Sequence, residues 1–321
     1  MRPDLGALAP LWLSADDQNA LVSIGACADA LAEALAVPAT DVGMPDPPRM
    51  ALALPDGQLL VMPSAATGRV GVKLVTVADT VAHPAAPRIQ GVHVQFDVRT
   101  LAPRALLDAP ALTCLRTAAI SVVALRRLAD PASSDLLVFG AGPQALSHVR
   151  GIAAEWPIRR VRVASRTADS ARRAADALRP GLPDVEVGPL PARDVEDGVA
   201  AADIVVCATT SAVPLFAGTV RPGAAVVAVG SHSAVERELP GRLVQRAFVV
   251  VEDRGVALRE AGDITMAIAE GLVAATDIAA DLGEIVRGAD VDVSRPRVFK
   301  SVGMAWQDAV VAEAILARAV A

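Results

Sequence analysis

Aromatic residues are scarce in this chain, and their scarcity limits the chemistry it can perform. Only 2% of the 321 residues are aromatic, and tyrosine is absent altogether. Reductases that use a Tyr-Lys acid pair are therefore excluded. Because 53% of the residues are hydrophobic, a sizeable core is available, and it must be built mainly from aliphatic side chains.

Cysteine and positive charge are also limited. The three cysteines, Cys27, Cys114 and Cys207, are widely spaced, with no CxxC pair and no Cys/His cluster. Neither a disulfide framework nor a metal site is expected from that spacing. The net charge of -6 and the isoelectric point near 5.3 argue against nucleic acid as a main partner.

Segments that target or anchor a chain are not evident. Arg2, Pro3 and Asp4 precede any apolar run, so no signal peptide is expected. The longest uncharged run, residues 204–220, is too short and too polar to span a membrane. We expect a cytoplasmic protein with no membrane partner.

A dinucleotide-binding motif is the most informative feature that is present. An apolar run at residues 136–139 ends in a glycine turn and opens into a helical pattern, and a second apolar run follows at residues 161–164. Gly140 permits the tight turn, Gly142 lets the backbone approach a pyrophosphate, and Ala145 keeps the helix close to the sheet. The alternative is a glycine turn that binds nothing. The candidate cofactor-binding residues here are Gly140, Gly142, Pro143, Gln144 and Ala145.

The end of the second apolar run indicates which dinucleotide is bound. NAD sites usually carry an acidic residue there for the ribose 2′-hydroxyl, but this chain has Ser165, Arg166 and Thr167. Two hydroxyls and a guanidinium suit a 2′-phosphate, since the planar fork of Arg donates two hydrogen bonds. NADPH is favoured over NADH, which remains possible with lower preference. Alternatively, Arg166 is only a solvated surface residue.

The remaining pattern predicts two kinds of domain. Residues 15–36 form a helix, residues 50–54 and 59–62 a hairpin, and residues 70–77 and 92–98 further strands, which together suggest an α+β domain. A helix over residues 114–129, capped by Thr113, leads into the second domain. From residue 136 strands and helices alternate, which predicts a doubly wound parallel α/β sheet of the Rossmann type. The strands are expected at residues 136–139, 161–164, 204–207, 225–229 and 248–251, and helices at 168–178 and 195–201.

Several short motifs resemble one family. They are Val61-Met62-Pro63, Gly71-Val72-Lys73, Thr113 to Ala119, Gly140 to Ala145, Asp203 to Thr210, Arg237-Glu238-Leu239 and Phe299 to Gly303. They resemble the ornithine cyclodeaminase/μ-crystallin family, whose fold is a Rossmann domain beside a substrate domain that also forms the dimer. The resemblance implies a substrate-binding and dimerisation domain at residues 1–115, joined by a C-terminal helix at 304–321. An NADP-binding domain would cover residues 116–303, including the connecting helix 116–129.

The resemblance also implies a set of site residues. Arg49, Lys73 and Arg116 match the positions that hold the substrate carboxylate, and charge-assisted donors suit that task. We place Arg116 near a helix start, where the dipole favours an anion; the alternative for each residue is a surface ion pair. Further cofactor contacts are expected at Thr117, Cys207, Thr209, Val229, Gly230, Ser301 and Gly303.

One position departs from the cyclodeaminase pattern. Counting back from Arg237, the catalytic Asp of cyclodeaminases is replaced by His232, and Ser231 replaces a glycine. An imidazole does not attract the cationic amine of ornithine, but it can deliver a proton near neutral pH. His232, Lys73 or a water molecule held by them is the candidate proton source; alternatively, His232 is only a loop residue.

The motifs are most similar to those of reductases of Δ1-pyrroline-2-carboxylate and Δ1-piperideine-2-carboxylate. We therefore expect an oxidoreductase of proline metabolism that reduces cyclic imino acids with NADPH as a homodimer. Three alternatives remain open. They are ornithine cyclodeaminase, an alanine-type amino-acid dehydrogenase, and a non-catalytic NADPH-binding protein of the crystallin kind.

Overall fold

The computed structural model describes residues 9–37, 46–79 and 87–320, so Arg2, Pro3 and Asp4 lie outside the described residues. The strands are β1 (Leu11–Leu13), β2 (Met50–Leu54), β3 (Gly57–Ser64), β4 (Val70–Ala78), β5 (Ile89–Phe96), β6 (Pro103–Asp108), β7 (Asp135–Phe139), β8 (Arg160–Ala164), β9 (Glu186–Pro189), β10 (Ile204–Cys207), β11 (Ala225–Ala228), β12 (Phe248–Val251), β13 (Ala280–Asp281) and β14 (Arg297–Lys300). The helices are α1 (Ala15–Leu21), α2 (Ile24–Ala36), α3 (Ala109–Leu128), α4 (Pro143–Glu155), α5 (Ala168–Leu178), α6 (Val195–Ala201), α7 (Gly241–Arg246), α8 (Arg254–Glu260), α9 (Gly262–Ala269), α10 (Leu282–Val286) and α11 (Ala305–Ala319).

Two compact units make up the described chain. The first holds the described residues up to Arg116 together with those from Met304 onward, and the second runs from Thr117 to Gly303. Helix α3 belongs to both, because Arg116 and Thr117 are neighbours inside it.

The first unit contains a six-stranded sheet in the order β1-β6-β5-β4-β3-β2. Strands β2 to β6 pair antiparallel, and β1 pairs parallel with β6. Helix α11 packs against β3, β4, β5 and α2. Side chains alternate between the two faces of a strand, and along β4 the buried positions are Gly71, Lys73, Val75 and Val77. The sheet therefore carries Lys73 on its buried face.

The helix predicted from residue 114 begins earlier than expected. Helix α3 starts at Ala109, and the backbone N–H of Ala111 donates to the Asp108 carboxylate at 2.8 Å. The assignment of Thr113 as the cap was wrong, and Arg116 lies in the third turn of α3. The charge at a helix N-terminus is confined to the first turn, so the dipole argument for Arg116 does not hold.

Two other predicted boundaries differ. The single helix predicted over residues 15–36 is two helices, because Ser23 begins a new one by accepting a hydrogen bond from the Ala26 N–H. The strand predicted to reach residue 98 ends at Phe96, where the Asp97 carboxylate accepts hydrogen bonds from the backbone N–H groups of Arg99 and Thr100. In both cases a short polar side chain competes with the regular element.

The second unit contains an eight-stranded sheet in the order β13-β12-β14-β11-β10-β7-β8-β9, with every pairing parallel. Strands β7, β10, β11 and β14 are buried along their whole length, as expected for a parallel sheet. The predicted doubly wound α/β fold is confirmed. The chain order reverses between β7 and β10, which is where such sheets bind ligands.

Helix α3 is also long and apolar enough to cross a membrane by length and composition. Its most apolar window is 83% buried inside the structure, so α3 serves as a core helix. Helices α1 and α2 pass the same test only if taken together, although they are bent by 76° at their break.

Candidate active site

The glycine turn after β7 forms an open cradle at the start of α4. Gly140 has a φ of 120°, and a Cβ there would lie 2.4 Å from the carbonyl oxygen of Ala208. Only glycine fits that position. At Gly142, by contrast, a Cβ would meet nothing within 4 Å, and in the described chain no side chain caps α4. The N–H groups of its first turn suit a pyrophosphate, and Pro143, Gln144 and Ala145 are its first three residues.

The end of β8 lies directly beside this turn. The Gly140 N–H donates to the carbonyl oxygen of Ala164 at 2.9 Å, and Ser165 and Arg166 follow immediately. Arg166 is exposed. Thr167, however, caps α5: its hydroxyl accepts from the Ser170 N–H at 3.2 Å and donates to the Ser170 hydroxyl at 2.8 Å. Capping thus occupies the Thr167 hydroxyl, and Ser165 and Arg166 remain the better candidates for a 2′-phosphate.

The loops after β10 and β11 are joined by the buried carboxylate of Glu238. It accepts hydrogen bonds of 2.7 Å from the Thr209 N–H, the Thr209 hydroxyl and the Gly230 N–H. Burial raises the pKa of Glu238, whereas Lys300 and the two hydrogen bonds from Thr209 oppose the rise. A Cβ at Gly230 would lie 2.1 Å from the Thr209 carbonyl oxygen. The carboxylate therefore holds two strand ends together at the cofactor-binding edge.

A second carboxylate fixes the segment after β14. Glu252 accepts from the Ser301 hydroxyl at 2.7 Å and from the N–H groups of Val302 and Gly303 at 2.9 Å. The predicted cofactor residues Cys207, Val229, Ser301 and Gly303 thus follow or end β10, β11 and β14. Carboxyl ends of parallel strands meet at one edge of a sheet, so the structure brings these residues to the same edge as Gly140.

Lys300 anchors the loop that carries His232. The Lys300 ammonium donates to the Ser231 carbonyl oxygen at 2.7 Å and pairs with Asp263 at 2.8 Å. The other Asp263 oxygen accepts from the N–H groups of Glu238 and Leu239. His232 itself is half-buried in the loop after β11. Residue order alone did not identify Asp263 or the role of Lys300.

Thr117 is connected to the cofactor helix through two side chains. Its carbonyl oxygen accepts from the Ser121 hydroxyl at 2.9 Å, and that hydroxyl lies 2.9 Å from His148 Nε2. His148 Nδ1 is 2.7 Å from the Gln144 carbonyl oxygen. The predicted cofactor residues Thr117 and Gln144 are therefore linked within the second unit.

In the first unit, Lys73 and Arg116 come together around a carboxylate, Asp308. The Lys73 ammonium lies 2.7 Å from Asp308 Oδ2, and Arg116 Nε lies 3.3 Å from Oδ1. Arg116 Nη1 also donates to Gln307 at 3.2 Å. Lys73 is 2% exposed and Arg116 6% exposed, so both charges are held in a dry environment.

Protonation in this cluster follows from burial and charge together. Burial lowers the pKa of Lys73 to about 8, Asp308 opposes that fall, and Arg116 and Arg49 add to it. Burial raises the pKa of Asp308, but Lys73, Arg116 and His93 outweigh it and hold this pKa below its ordinary value. Arg49 is half-buried just before β2. Lys73 and Arg116 therefore meet at Asp308, and the charge of Arg49 acts on Lys73.

Asp308 and His93 are the residues of this cluster that the sequence analysis missed. Asp308 lies in the run Ala-Trp-Gln-Asp-Ala-Val-Val of α11, and a charged residue inside an apolar helix pattern requires a partner. The position of Asp308 in this apolar helix could therefore have identified it from the sequence. His93 gave no such signal; it lies opposite Lys73 in the pairing of β4 with β5, and its Nε2 is 2.9 Å from Gln95 Oε1.

The chain is similar to known proteins over nearly its whole length. The family model described as "Ornithine cyclodeaminase/mu-crystallin family" matches residues 10–321. The chain belongs to this family. It is 35% identical over 316 residues to the ketimine reductase mu-crystallin of Rattus norvegicus, which covers 96% of both chains.

Two further relatives are named for the same chemistry. A Δ1-pyrroline-2-carboxylate reductase of Bacillus cereus is 34% identical over 272 residues, covering 81% of each chain. The structure of the Thermococcus litoralis Δ1-pyrroline-2-carboxylate reductase, in complex with NADH and L-proline, superposes with a TM-score of 0.89. That structure is 27% identical and covers 97% of each chain. The resemblance inferred from the short motifs is confirmed.

Proposed function

We propose that this protein reduces Δ1-pyrroline-2-carboxylate to L-proline with NADPH, and Δ1-piperideine-2-carboxylate to L-pipecolate by the same route. Similarity to named reductases identifies the protein as an NAD(P)H-dependent imine oxidoreductase. What we propose is the particular imine that it reduces and its preference for NADPH. One observation carries it. Lys73 and Arg116 meet at the buried carboxylate of Asp308, and the charge of Arg49 lowers the pKa of Lys73, so three cations act at a place that suits a small anionic substrate.

The substrate carboxylate is assigned to the cations of the first unit. A guanidinium donates two parallel hydrogen bonds to a carboxylate, and those bonds are stronger in a dry site than in water. Arg116 is held by Gln307 and Asp308, so its position is set before substrate binds. Preorganisation of this kind reduces the cost of binding.

The cofactor residues of the second unit fit a nicotinamide dinucleotide. Gly142 leaves open space above the helix start, and the strand ends beyond it are held by Glu238 and Glu252. When bound, the nicotinamide supplies the hydride, while the protein positions the imine and supplies a proton. His232 or Lys73 is the candidate proton source, and a protonated imine is the better hydride acceptor.

A panel of substrates tests this function. We expect multiple-turnover oxidation of NADPH, measured by absorbance, with the five- and six-membered cyclic imines. We expect little oxidation with pyruvate plus ammonia. With L-ornithine and NAD, neither ammonia nor proline should accumulate, because an imidazole at residue 232 offers no negative charge to an ammonium group.

Each outcome of the panel distinguishes one alternative. Steady release of ammonia and proline from ornithine would identify a lyase and overturn the reductase assignment. Oxidation only with pyruvate plus ammonia would identify an amino-acid dehydrogenase. NADPH binding without turnover of any substrate would identify a binding protein.

As a further check, His232→Asp should weaken imine reduction. A gain of ornithine turnover in this variant would show that residue 232 separates the reductase activity from the cyclodeaminase activity.

The cofactor preference is proposed to depend on Arg166. Arg166→Ala should raise the KM for NADPH by ~10- to 100-fold and leave NADH kinetics nearly unchanged, since one charge-assisted hydrogen bond to the 2′-phosphate is lost. Arg150→Ala, which removes another exposed arginine of the second unit, is the control and should change neither KM. A wild-type enzyme with higher kcat/KM for NADH would contradict this assignment.

The assembly is proposed to be a homodimer. Strand β2 forms an edge of the first sheet, and all five of its residues are exposed, with Met50 at 59% and Leu52 at 60%. Exposed apolar edges favour association, and a second copy would cover this one. Light scattering of the purified protein should give twice the chain mass, and a monomer would contradict the proposal.

A further inference from the structure

Lysine is used only twice in this chain, although Lys and Arg together number 30. Both lysines are buried, Lys73 at 2% and Lys300 at 1% exposure, and each is paired with an aspartate. A guanidinium keeps its proton in proteins, whereas a buried ammonium can lose it. The two lysines are therefore the basic side chains, besides histidine, that could exchange a proton.

The two lysines have different surroundings. Lys300 donates to the Ser231 carbonyl oxygen and pairs with Asp263, so it connects loops of the second unit. Lys73 lies in the first unit in the same electrostatic site as Arg116 and Arg49. Of the two, Lys73 is the one placed where a substrate anion is expected.

Asp308 is unexpected in a site that binds an anion. Its carboxylate lies 2.7 Å from the Lys73 ammonium and 3.3 Å from Arg116, so it cancels part of the charge that would attract the substrate. The same carboxylate is useful to a lysine that must carry a proton in a dry site, because a nearby opposite charge favours the charged form.

We propose that Asp308 is a positioning residue that holds the Lys73 ammonium as the proton donor to the imine nitrogen, while Arg116 and Arg49 bind the substrate carboxylate. This assignment rests on the proposed reductase function. Lys73 gives one proton to the imine nitrogen, forming the iminium N–H bond. A hydride, which a bound nicotinamide would supply, then forms a C–H bond with its electron pair at the ring carbon that bears the carboxylate, and the C=N π pair becomes the lone pair of the amine nitrogen. Solvent returns a proton to the Lys73 amine.

The ionisable groups around Lys73 determine the pH range in which its amine is protonated. Strand β3 contributes no ionisable side chain, and Met62 lies opposite Lys73 on it. The charged or titratable groups that act on Lys73 from the other neighbouring elements are Asp308 on α11, Arg116 on α3, His93 on β5 and Arg49 before β2. On α3, the Thr113 hydroxyl is 3.4 Å from the Lys73 ammonium.

Most of these neighbours oppose the charge on Lys73. Burial lowers the pKa of His93, so its ring is neutral at pH 7. Burial lowers the pKa of Lys73 to about 8, and the two arginines act in the same direction. Among the groups named above, Asp308 alone supplies negative charge. Lys73 is therefore protonated at neutral pH but able to give its proton up, and removing Asp308 should lower its pKa further.

The scarcity of lysine makes this titration directly observable. In protein labelled with ¹³C-lysine, two side-chain signals are expected by NMR, and Lys73→Arg identifies the Lys73 signal by its loss. In the wild type this signal should titrate near pH 8. In Asp308→Asn its midpoint should fall by about one pH unit or more. No substrate or cofactor is needed, so this result is independent of the proposed function.

The kinetic measurement connects the titration to the reaction. With Δ1-pyrroline-2-carboxylate, Asp308→Asn should lose roughly fivefold more kcat/KM at pH 8 than at pH 6, as a one-unit fall in the pKa of Lys73 requires. Comparing the two proteins at each pH cancels the ionisation of the substrate. Glu313→Gln is the matched control, because it removes another carboxylate of α11, paired with Arg104, and should leave the pH profile unchanged.

The outcomes separate a positioning role from a structural one. An unchanged Lys73 midpoint in Asp308→Asn, or an equal loss of kcat/KM at both pH values, overturns the proposal. If Asp308→Asn does not fold, Asp308→Glu decides: a midpoint close to that of the wild type with a lower kcat supports it, and an unchanged kcat overturns it. A shifted midpoint in a protein that reduces no imine would leave Asp308 acting on Lys73 and refute only the proposed function.

Discussion

Replacing Arg116 with alanine should lower kcat/KM for the cyclic imine by roughly 30- to 1,000-fold, equivalent to about 2–4 kcal/mol. The guanidinium is buried beside Asp308 and Gln307, so a substrate carboxylate bound there has little access to water. Water cannot replace the lost hydrogen bonds in such a place. Steady-state kinetics of the folded variant measure the effect. If the carboxylate contact is equal in the ground and transition states, the loss should appear mainly in KM.

Two further variants make this result specific to the carboxylate. Arg116→Lys keeps the charge but loses the two-pronged donor, so it should recover only part of the activity. Arg104→Gln removes an arginine of the same unit that pairs with Glu313 and is 35% exposed, and it should leave kcat/KM nearly unchanged. Near-normal kinetics of Arg116→Ala would refute the assignment of this residue to the substrate carboxylate.

Replacing Lys300 with methionine should lower the free energy of unfolding by about 3–5 kcal/mol, because it leaves the Asp263 carboxylate buried without its cation. Both side chains of this pair are fully buried, and the Lys300 ammonium also holds the Ser231 carbonyl oxygen. Urea unfolding followed by circular dichroism measures the loss. The substitution also removes the hydrogen bond to the Ser231 carbonyl oxygen, so the loop that carries His232 should lose this anchor at the same time.

A second substitution separates the unpaired charge from simple loss of packing. Asp263→Asn removes the charge and keeps an oxygen for the N–H groups of Glu238 and Leu239, so the double variant should recover part of the stability. Arg172→Met breaks an exposed pair with Asp169 and should leave the unfolding midpoint almost unchanged. A Lys300→Met protein as stable as the wild type would show that the buried pair contributes nothing.

Much of the second unit could be predicted from local patterns. The run of apolar residues before Gly140, the glycine turn and the helix after it are close in sequence, so their contacts depend on short-range geometry. Helices α5 and α6 have the predicted bounds, because their apolar spacing and flanking residues are equally local. Polar caps compete with regular structure at two places: Asp108 lets α3 begin earlier than predicted, and Ser23 divides the helix predicted over residues 15–36 into two.

The sequence by itself determined the doubly wound fold, the family, and the kinds of residue available for an anionic substrate and a dinucleotide. These features depend on periodicity and on motifs whose residues are adjacent in the chain. Tertiary structure alone decided the partner of each buried charge. Lys73 and Asp308 are 235 positions apart, and only the packing of α11 against β4 brings them together. A buried charge requires a partner, but no local pattern specifies which distant residue will supply it.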